Sequence, residues 1–244
     1  MPRSARRVAR RVVTDALVVR TVAYGESDVV ATFLTQEEGK VAAIVRGARK
    51  GSRRTAGALE PVHTVRATYE DKGTELVTLK EASVVRPRTR LLARLERIEA
   101  AGTLLRWGRH VFPPKTAEPA AFATIMETLD ALDALDERDG APEAELACAG
   151  LRLLADVGWG VELARCVKCG RPCPDDASAQ LDPGRGGIVC RSCGGARVLV
   201  PAAVRRAALA ATARAPGASA LAAPHAAALA EIVEAAMAAH AGFE

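Results

Sequence analysis

The chain has 244 residues, of which 49% are hydrophobic, 26% charged and only 3% aromatic, with a formal net charge of +5. This is enough apolar material for one large core or several small ones, and no run of about 20 apolar residues marks a membrane span. The charge is uneven: residues 1–97 carry 20 Lys/Arg against 11 Asp/Glu, and residues 98–244 carry 14 against 18. The basic character therefore belongs to the N-terminal part, a distribution suited to a polyanionic partner.

The Arg-rich start, residues 1–11, lacks an apolar segment behind it, because Asp15 and Arg20 interrupt the run. It reads as an unstructured basic arm and not as an export signal, which points to the cytoplasm. Five strand-like segments follow: Thr14–Tyr24, Asp28–Thr35, Lys40–Arg46, His63–Tyr69 and Thr74–Val85. They are rich in Val, Thr and Leu and are separated by turn signals such as Gln36-Glu37-Glu38-Gly39 and Asp71-Lys72-Gly73. Five short strands suit a small closed barrel, and the oligonucleotide-binding (OB) fold is the commonest such choice. Pattern alone leaves an SH3-like barrel equally open.

After Arg86-Pro87 the period lengthens. Leu91, Leu95, Ile98, Gly102 and Leu105 recur at helical spacing and are expected on one buried face, up to the stop at Pro113-Pro114. Phe122, Ile125, Met126, Leu129 and Leu132 mark a second helix, and Leu146, Leu153, Leu154 and Val157 a third. Pro201 opens another helical stretch in a position suited to a first turn. A final helix from about Pro224 turns Leu229, Ile232, Val233 and Met237 inward. Asp130, Asp133, Asp136 and Glu137 read as the solvated outer side of a helix.

Between these helices lie Cys166-Val167-Lys168-Cys169 and Cys190-Arg191-Ser192-Cys193, two C-x-x-C pairs twenty residues apart. Zinc takes four such thiolates in a tetrahedron. Gly170 and Gly194-Gly195 supply the permissive backbone that such turns use. With no open position the site is structural: one zinc held by Cys166, Cys169, Cys190 and Cys193. Cys173 is a competing ligand only by proximity in sequence. Cys148 sits in an apolar helical stretch and reads as core.

Segment 46–54 (RGARKGSRR) holds five basic residues in nine and joins the third strand to the fourth. Arginine and lysine on a glycine-bearing loop can track phosphates. Arg46, Arg49, Lys50, Arg53 and Arg54 are the candidates, extended by charge to Arg88 and Arg90. The segment lacks the order of a nucleotide-binding P-loop, and no nucleophile–base set or spaced carboxylate pair is present, so no enzymatic activity is expected. The barrel region offers only Tyr24, Phe33 and Tyr69 as aromatics, so binding should lean on charge. Neutralising about 4–6 phosphates of a single strand corresponds to a slope of roughly −3 to −4 in log K against log salt.

Taken together, Gly25-Glu26-Ser27-Asp28, Thr35 to Lys40, Arg46-Gly47-Ala48-Arg49-Lys50 with Ser52-Arg53, Leu59-Glu60-Pro61, Leu151-Arg152-Leu153-Leu154, Gly158 and the cysteine pairs resemble the RecO family of bacterial recombination-mediator proteins. The resemblance runs over nearly the full length. It implies an α+β, multidomain chain: an OB-fold over residues 1–85, a helical domain over 86–163 and 200–244, and an inserted zinc module over 164–199. It also implies binding of single- and double-stranded DNA, annealing of complementary strands, and action with RecR and RecF to load recombinase onto strands coated by single-strand-binding protein, all at the bacterial nucleoid. DNA contact carries over to Arg46, Arg49, Lys50 and Arg53, and zinc ligation to the four cysteines. The alternative from a different class is a zinc-ribbon adaptor that binds nucleic acid or an acidic protein without annealing.

Overall fold

The computed structural model describes residues 9–50, 57–136, 141–213 and 223–241. The chain divides into two compact units, residues 1–89 with 112–122, and residues 90–111 with 123–244.

The first unit is a five-stranded closed barrel: β1 (Arg10–Tyr24), β2 (Asp28–Thr35), β3 (Gly39–Val45), β4 (Thr64–Asp71) and β5 (Leu76–Arg86). The ring order is β1-β2-β3-β5-β4. All pairs are antiparallel except β3 with β5, where Ala42, Ala43 and Ile44 lie beside Leu76, Val77 and Thr78 in parallel. This ring with its single parallel seam is the OB arrangement, and it resolves the alternative left open by pattern. The core follows the two-residue period of the strands: Val41, Ala43 and Val45 point inward to meet Phe33, Val65 and Tyr69. A register shift between Val18 and Arg20 lets Leu17, Val18 and Val19 all be buried.

Two residues of the expected basic arm are strand instead. Arg10 and Arg11 are already strand, opposite Asp71 and Glu70 of β4, because a long β1 is needed to pair with β4 and β2 together. Residues 1–8 lie outside the described residues.

Segment 112–118 straps the open end of the β3–β5 seam. Pro114 bridges Lys40, and the Lys115 N–H donates to the Lys40 carbonyl at 3.0 Å. Gly39 makes this approach possible: it has φ +61°, and a Cβ there would sit 1.8 Å from the Thr116 carbonyl oxygen. The Lys115 ammonium then reaches Asp71 Oδ2 at 2.8 Å and the Thr74 carbonyl at 2.9 Å. Arg10, Glu38 and Tyr69 join the same network, with Arg10 and Tyr69 both donating to Glu38. Burial disfavours ionised Asp71, but Lys115, the Gly73 N–H and Arg10 outweigh it and hold its carboxyl below the usual carboxylate range. Burial and the Glu38 carboxylate push the Tyr69 phenol upward.

The second unit contains α1 (Leu95–Val111), most of α2 (Pro119–Ala134), α3 (Pro142–Asp156), a small sheet of β6 (Ala179–Asp182), β7 (Gly187–Ile188) and β8 (Val198–Val200), then α4 (Ala202–Thr212) and α5 (Ala223–Ala241). α3 is central and meets α1, α4 and α5. Gly150 sets the closeness of that contact, since a Cβ there would lie 2.7 Å from Val233 and 2.8 Å from Trp107. Cys148 is fully buried, and burial pushes its thiol up to about 11.

The α1 face differs from expectation. Leu95 and Ile98 are exposed, and the buried side is Ala100, Ala101, Leu104, Leu105, Trp107, Gly108 and Val111. Leu91 and Leu105 are buried as expected, but small residues pack where helices approach closely, and Leu95, Ile98 and Gly102 lie outside the buried face. Asp133 is likewise more than a solvated carboxylate: its Oδ1 accepts the Leu91 N–H at 2.8 Å. Pro201 stands at the N-cap of α4, one residue before its first turn.

Because the Asp71 carboxyl is stabilised as the anion, its contribution is complete above the ordinary carboxylate range and is lost as pH falls through its lowered native value. Urea unfolding followed towards acid pH should show Asp71→Asn losing stability at neutral pH, by about 1.5 kcal/mol, and converging with the wild type in acid.

Candidate nucleic-acid interface and metal centre

The basic loop leaves β3 at one end of the barrel, where Gly47 turns the chain with φ +67°. Ala48–Lys50 form a single 3-10 turn. Asp28, the first residue of β2, fixes this exit: its Oδ1 accepts the Gly47 N–H at 2.9 Å. The Arg49 N–H donates to the Ser27 carbonyl at 3.0 Å, and the Arg49 guanidinium to the Gly25 carbonyl at 3.3 Å. The β1–β2 turn and the basic loop therefore form one ordered edge. Arg46 and Arg49 are exposed on it.

Four other cations of the barrel unit are already committed to carboxylates. Arg66 pairs with Asp15 at 2.8 Å, Lys80 with Glu70 at 3.0 Å, Lys115 with Asp71, and Arg10 with Glu38. No carboxylate among the described residues stands in ion-pair range of Arg46 or Arg49. Arg53 and Arg54 lie outside the described residues, and of Lys50 only the backbone turn is described.

Arg88 does not belong with this set. It is fully buried, donating to the Val62 carbonyl at 2.6 Å and to Thr64 Oγ1 at 3.2 Å, while its N–H donates to His63 Nδ1 at 3.3 Å. A guanidinium spent on closing the barrel has no face for phosphate, so its charge in the sequence misled. Arg90 is exposed but donates to the Leu135 carbonyl at 3.3 Å within the second unit. Among the barrel aromatics, Phe33 and Tyr69 are core and only Tyr24 is exposed.

In the second unit the two C-x-x-C turns converge. The sulfurs of Cys166, Cys169, Cys190 and Cys193 all lie within 4.8 Å of one another, and Cys169 Sγ is 3.8 Å from Cys190 Sγ. A tetrahedron with Zn–S bonds of about 2.3 Å has edges of about 3.8 Å. Each turn closes on itself: the Gly170 N–H donates to the Cys166 carbonyl at 2.8 Å, and the Gly195 N–H to the Cys190 carbonyl at 3.1 Å. The Cys190 N–H points at Cys166 Sγ at 3.3 Å, and this donor leads in lowering that thiol to about 6, against burial. The Ser192 hydroxyl leads in lowering Cys190, whereas hydrogen bonds to the Cys190 and Cys169 sulfurs push Cys193 up to about 12. Hydrogen-bond donors thus favour the thiolate at Cys166 and Cys190, while the Cys193 thiol is held protonated by its neighbours; four thiolates together call for a dication. Cys173 stands outside the four, its N–H taken by the Ala164 carbonyl.

The module is tied to the helices by Arg205 of α4, which is fully buried. Its guanidinium donates to the Leu163 carbonyl at 3.0 Å, the Ala177 carbonyl at 3.2 Å and the Pro174 carbonyl. Sequence reasoning missed this residue, as it missed the role of Asp28. One Arg of an adjacent pair in an alanine-rich helix carries no signal of burial, and an Asp at a strand start reads as turn chemistry.

Comparison with known proteins follows the same division. Residues 10–88 match the family described as recombination protein O N terminal, and residues 93–243 that described as recombination protein O C terminal. The chain belongs to the recombination protein O family. It is 37% identical over 202 residues to the DNA repair protein RecO of Anaeromyxobacter sp. (strain K), covering 82% of this chain and 78% of that one. A second relative of that name, from Anaeromyxobacter sp. (strain Fw109-5), is 34% identical over 187 residues, 76% of this chain and 72% of its own. The RecO of Symbiobacterium thermophilum is 31% identical over 180 residues, 73% and 70% respectively. The resemblance read from the motifs is thus the family found.

If Asp28 orders the basic loop, the Gly47 amide should exchange slowly in the wild type and in Asp28→Asn, which keeps an acceptor oxygen. It should exchange about fivefold faster or more in Asp28→Ala, the equivalent of one hydrogen bond of about 1 kcal/mol. Hydrogen-exchange mass spectrometry of the loop peptide checks this.

Proposed function

We propose that the protein is a DNA repair and recombination mediator that works without catalysing a covalent reaction. In this reading it binds single- and double-stranded DNA, anneals complementary strands and helps to load recombinase onto strands coated by single-strand-binding protein. RecR and RecF are its proposed partners, and the bacterial cytoplasm at the nucleoid its place of work. The observation that carries the reading is the ordered edge of Arg46 and Arg49, without carboxylate partners among the described residues, at one end of an OB barrel in a chain of this family.

Two phosphate backbones repel each other. A surface that neutralises both lowers that repulsion and lets complementary strands meet, and base pairing then supplies the free energy. No nucleotide need be hydrolysed. Arg46, Arg49, Lys50 and Arg53 are proposed as the phosphate contacts, with Arg54 and Arg90 as flanking charge. With Tyr24 the only exposed barrel aromatic, stacking is minor and sequence preference weak.

The four cysteines are proposed to hold one structural zinc. Their chemistry fits it: four thiol donors, no open position, and a sulfur spacing that a Zn–S tetrahedron accepts. Bound there, the ion would neutralise the thiolates and fix the turns that carry β6, β7 and β8.

Annealing of complementary oligonucleotides, bare and coated with cognate single-strand-binding protein, tests the function without ATP and over a salt series. Salt-sensitive acceleration on both substrates is expected, and binding without annealing would leave only the adaptor reading. Replacing Arg46, Arg49, Lys50 and Arg53 together by Ala should weaken binding across sequences and flatten the salt slope by up to about 3. An unchanged slope would remove the loop from the interface.

Metal analysis should return one zinc per chain. Structural thiolate sites contribute on the order of 10–16 kcal/mol of apparent binding energy in small domains. Replacing Cys166 and Cys190 by Ser should therefore cost zinc and solubility before it changes DNA affinity, and full thermal stability after chelation would contradict the assignment.

A further inference from the structure

The net negative charge of residues 98–244 hides a local reversal. Residues 164–199 carry six Lys/Arg against three Asp/Glu, while the rest of that portion carries eight against fifteen. Three of these cations, Lys168, Arg171 and Arg191, stand exposed on the cysteine turns. The Lys168 ammonium donates to the Cys193 carbonyl at 2.8 Å, which folds it across from the first turn to the second. The Arg171 guanidinium donates to Ser192 Oγ at 3.3 Å, beside Arg191. Arg191 and Arg171 also border a common cleft of about 290 Å³, with Pro172 and Leu199 among its apolar walls. Among the described residues no carboxylate lies in ion-pair range of any of the three, whereas Arg185 of the same module pairs with Asp182 at 3.1 Å.

Part of this charge has a local use. A zinc ion with four thiolates carries a net charge of −2, which nearby cations offset. Three cations exceed that need, and their remaining donors point to solvent: Arg171 uses one of its five N–H groups on Ser192, and the Arg191 guanidinium meets no acceptor among the described residues. Two guanidinium forks and an ammonium displayed on neighbouring turns suit the oxygens of a phosphodiester.

The geometry points to the tips of the cysteine turns as a second phosphate-binding surface, one that takes the backbone of a nucleic acid strand through Lys168, Arg171 and Arg191. The inference rests on the proposed function and adds to it. Strand annealing needs two polyanions held by one particle, and this surface would supply the second hold, on a different unit from the barrel loop. The metal's role is to fix the turns that display the three side chains.

The test uses the full-length, zinc-loaded protein in three forms beside the wild type: Lys168→Ala with Arg171→Ala and Arg191→Ala; Arg191→Glu alone; and the barrel-loop variant with Arg46, Arg49, Lys50 and Arg53 changed to Ala. Zinc content is measured on each. Arg191→Glu alters a side chain without an internal partner and should keep its zinc, which preserves the test if the triple variant does not. Binding of a labelled single strand is read over a salt series, and annealing is read separately. The triple variant should flatten the slope by about 2, at roughly 0.7 per phosphate contact, and slow annealing at least tenfold. Arg191→Glu should flatten the slope by about 1. Unchanged slope and annealing in a zinc-loaded Arg191→Glu variant would overturn the inference while leaving the barrel reading intact. Unchanged binding in the barrel-loop variant alone would instead overturn the barrel assignment. Loss of binding to a fluorescent poly-glutamate peptide with DNA binding unaffected would reassign the tips to an acidic protein and overturn the inference as well.

Discussion

Ring closure is the constraint from which the rest of the first unit follows. Five strands close only if β3 meets β5, and those two run parallel. Parallel neighbours cannot be joined by a tight turn, so the chain must leave β3, cross the end of the barrel, lay down β4 and return. The connection from β3 to β4 holds the clustered basic residues of the sequence, of which Arg46 and Arg49 are described. The same closure leaves the seam short, three residue pairs in register, and the strap at 112–118 extends it past Lys40. The basic loop and the strap are thus two consequences of one topological need, at opposite ends of β3.

Buried arginines perform a task in each unit that hydrophobic side chains could not. Arg88 links the 62–64 segment to the end of β5, and Arg205 gathers three carbonyls from the loops around the cysteine turns. The Arg88 guanidinium donates to a backbone carbonyl and a hydroxyl, and that of Arg205 to three backbone carbonyls. A buried guanidinium of this kind is costly to orphan, since removing it strands several carbonyls at once. Irregular segments that would otherwise have no ladder to satisfy them are held in this way.

These features explain what could be read in advance. The strands were legible because runs rich in Val, Thr and Leu lie between turn signals, with clean alternation in β4, and the β2 boundaries Asp28–Thr35 coincide with the expectation. The cysteine cluster was legible because two C-x-x-C pairs have few other physical uses. The α1 face was legible only in part, because Ala100, Ala101 and Gly108 pack it beside Leu104, Leu105 and Trp107, while Leu95 and Ile98 lie outside it. Arg88 was misjudged because formal charge is the same inside and outside a barrel. The role of Asp28 was hidden because it depends on Gly47, nineteen residues away, and only the fold brings the two together. Charge summed over residues 98–244 likewise concealed the cations of the cysteine turns.

The placement of the two tryptophans has an optical consequence. Trp107 is buried against Gly150 in the helical unit, and Trp159 stacks on the His240 ring with centroids 5.9 Å apart, within the same unit. The barrel holds no tryptophan, only Tyr24 and Tyr69. Indole emission excited at the red edge therefore follows the second unit alone, while the barrel is dark in that channel and is heard only through tyrosine. A denaturation curve recorded by tryptophan describes one unit of this chain, and its difference from a circular-dichroism curve measures how far the two melt independently.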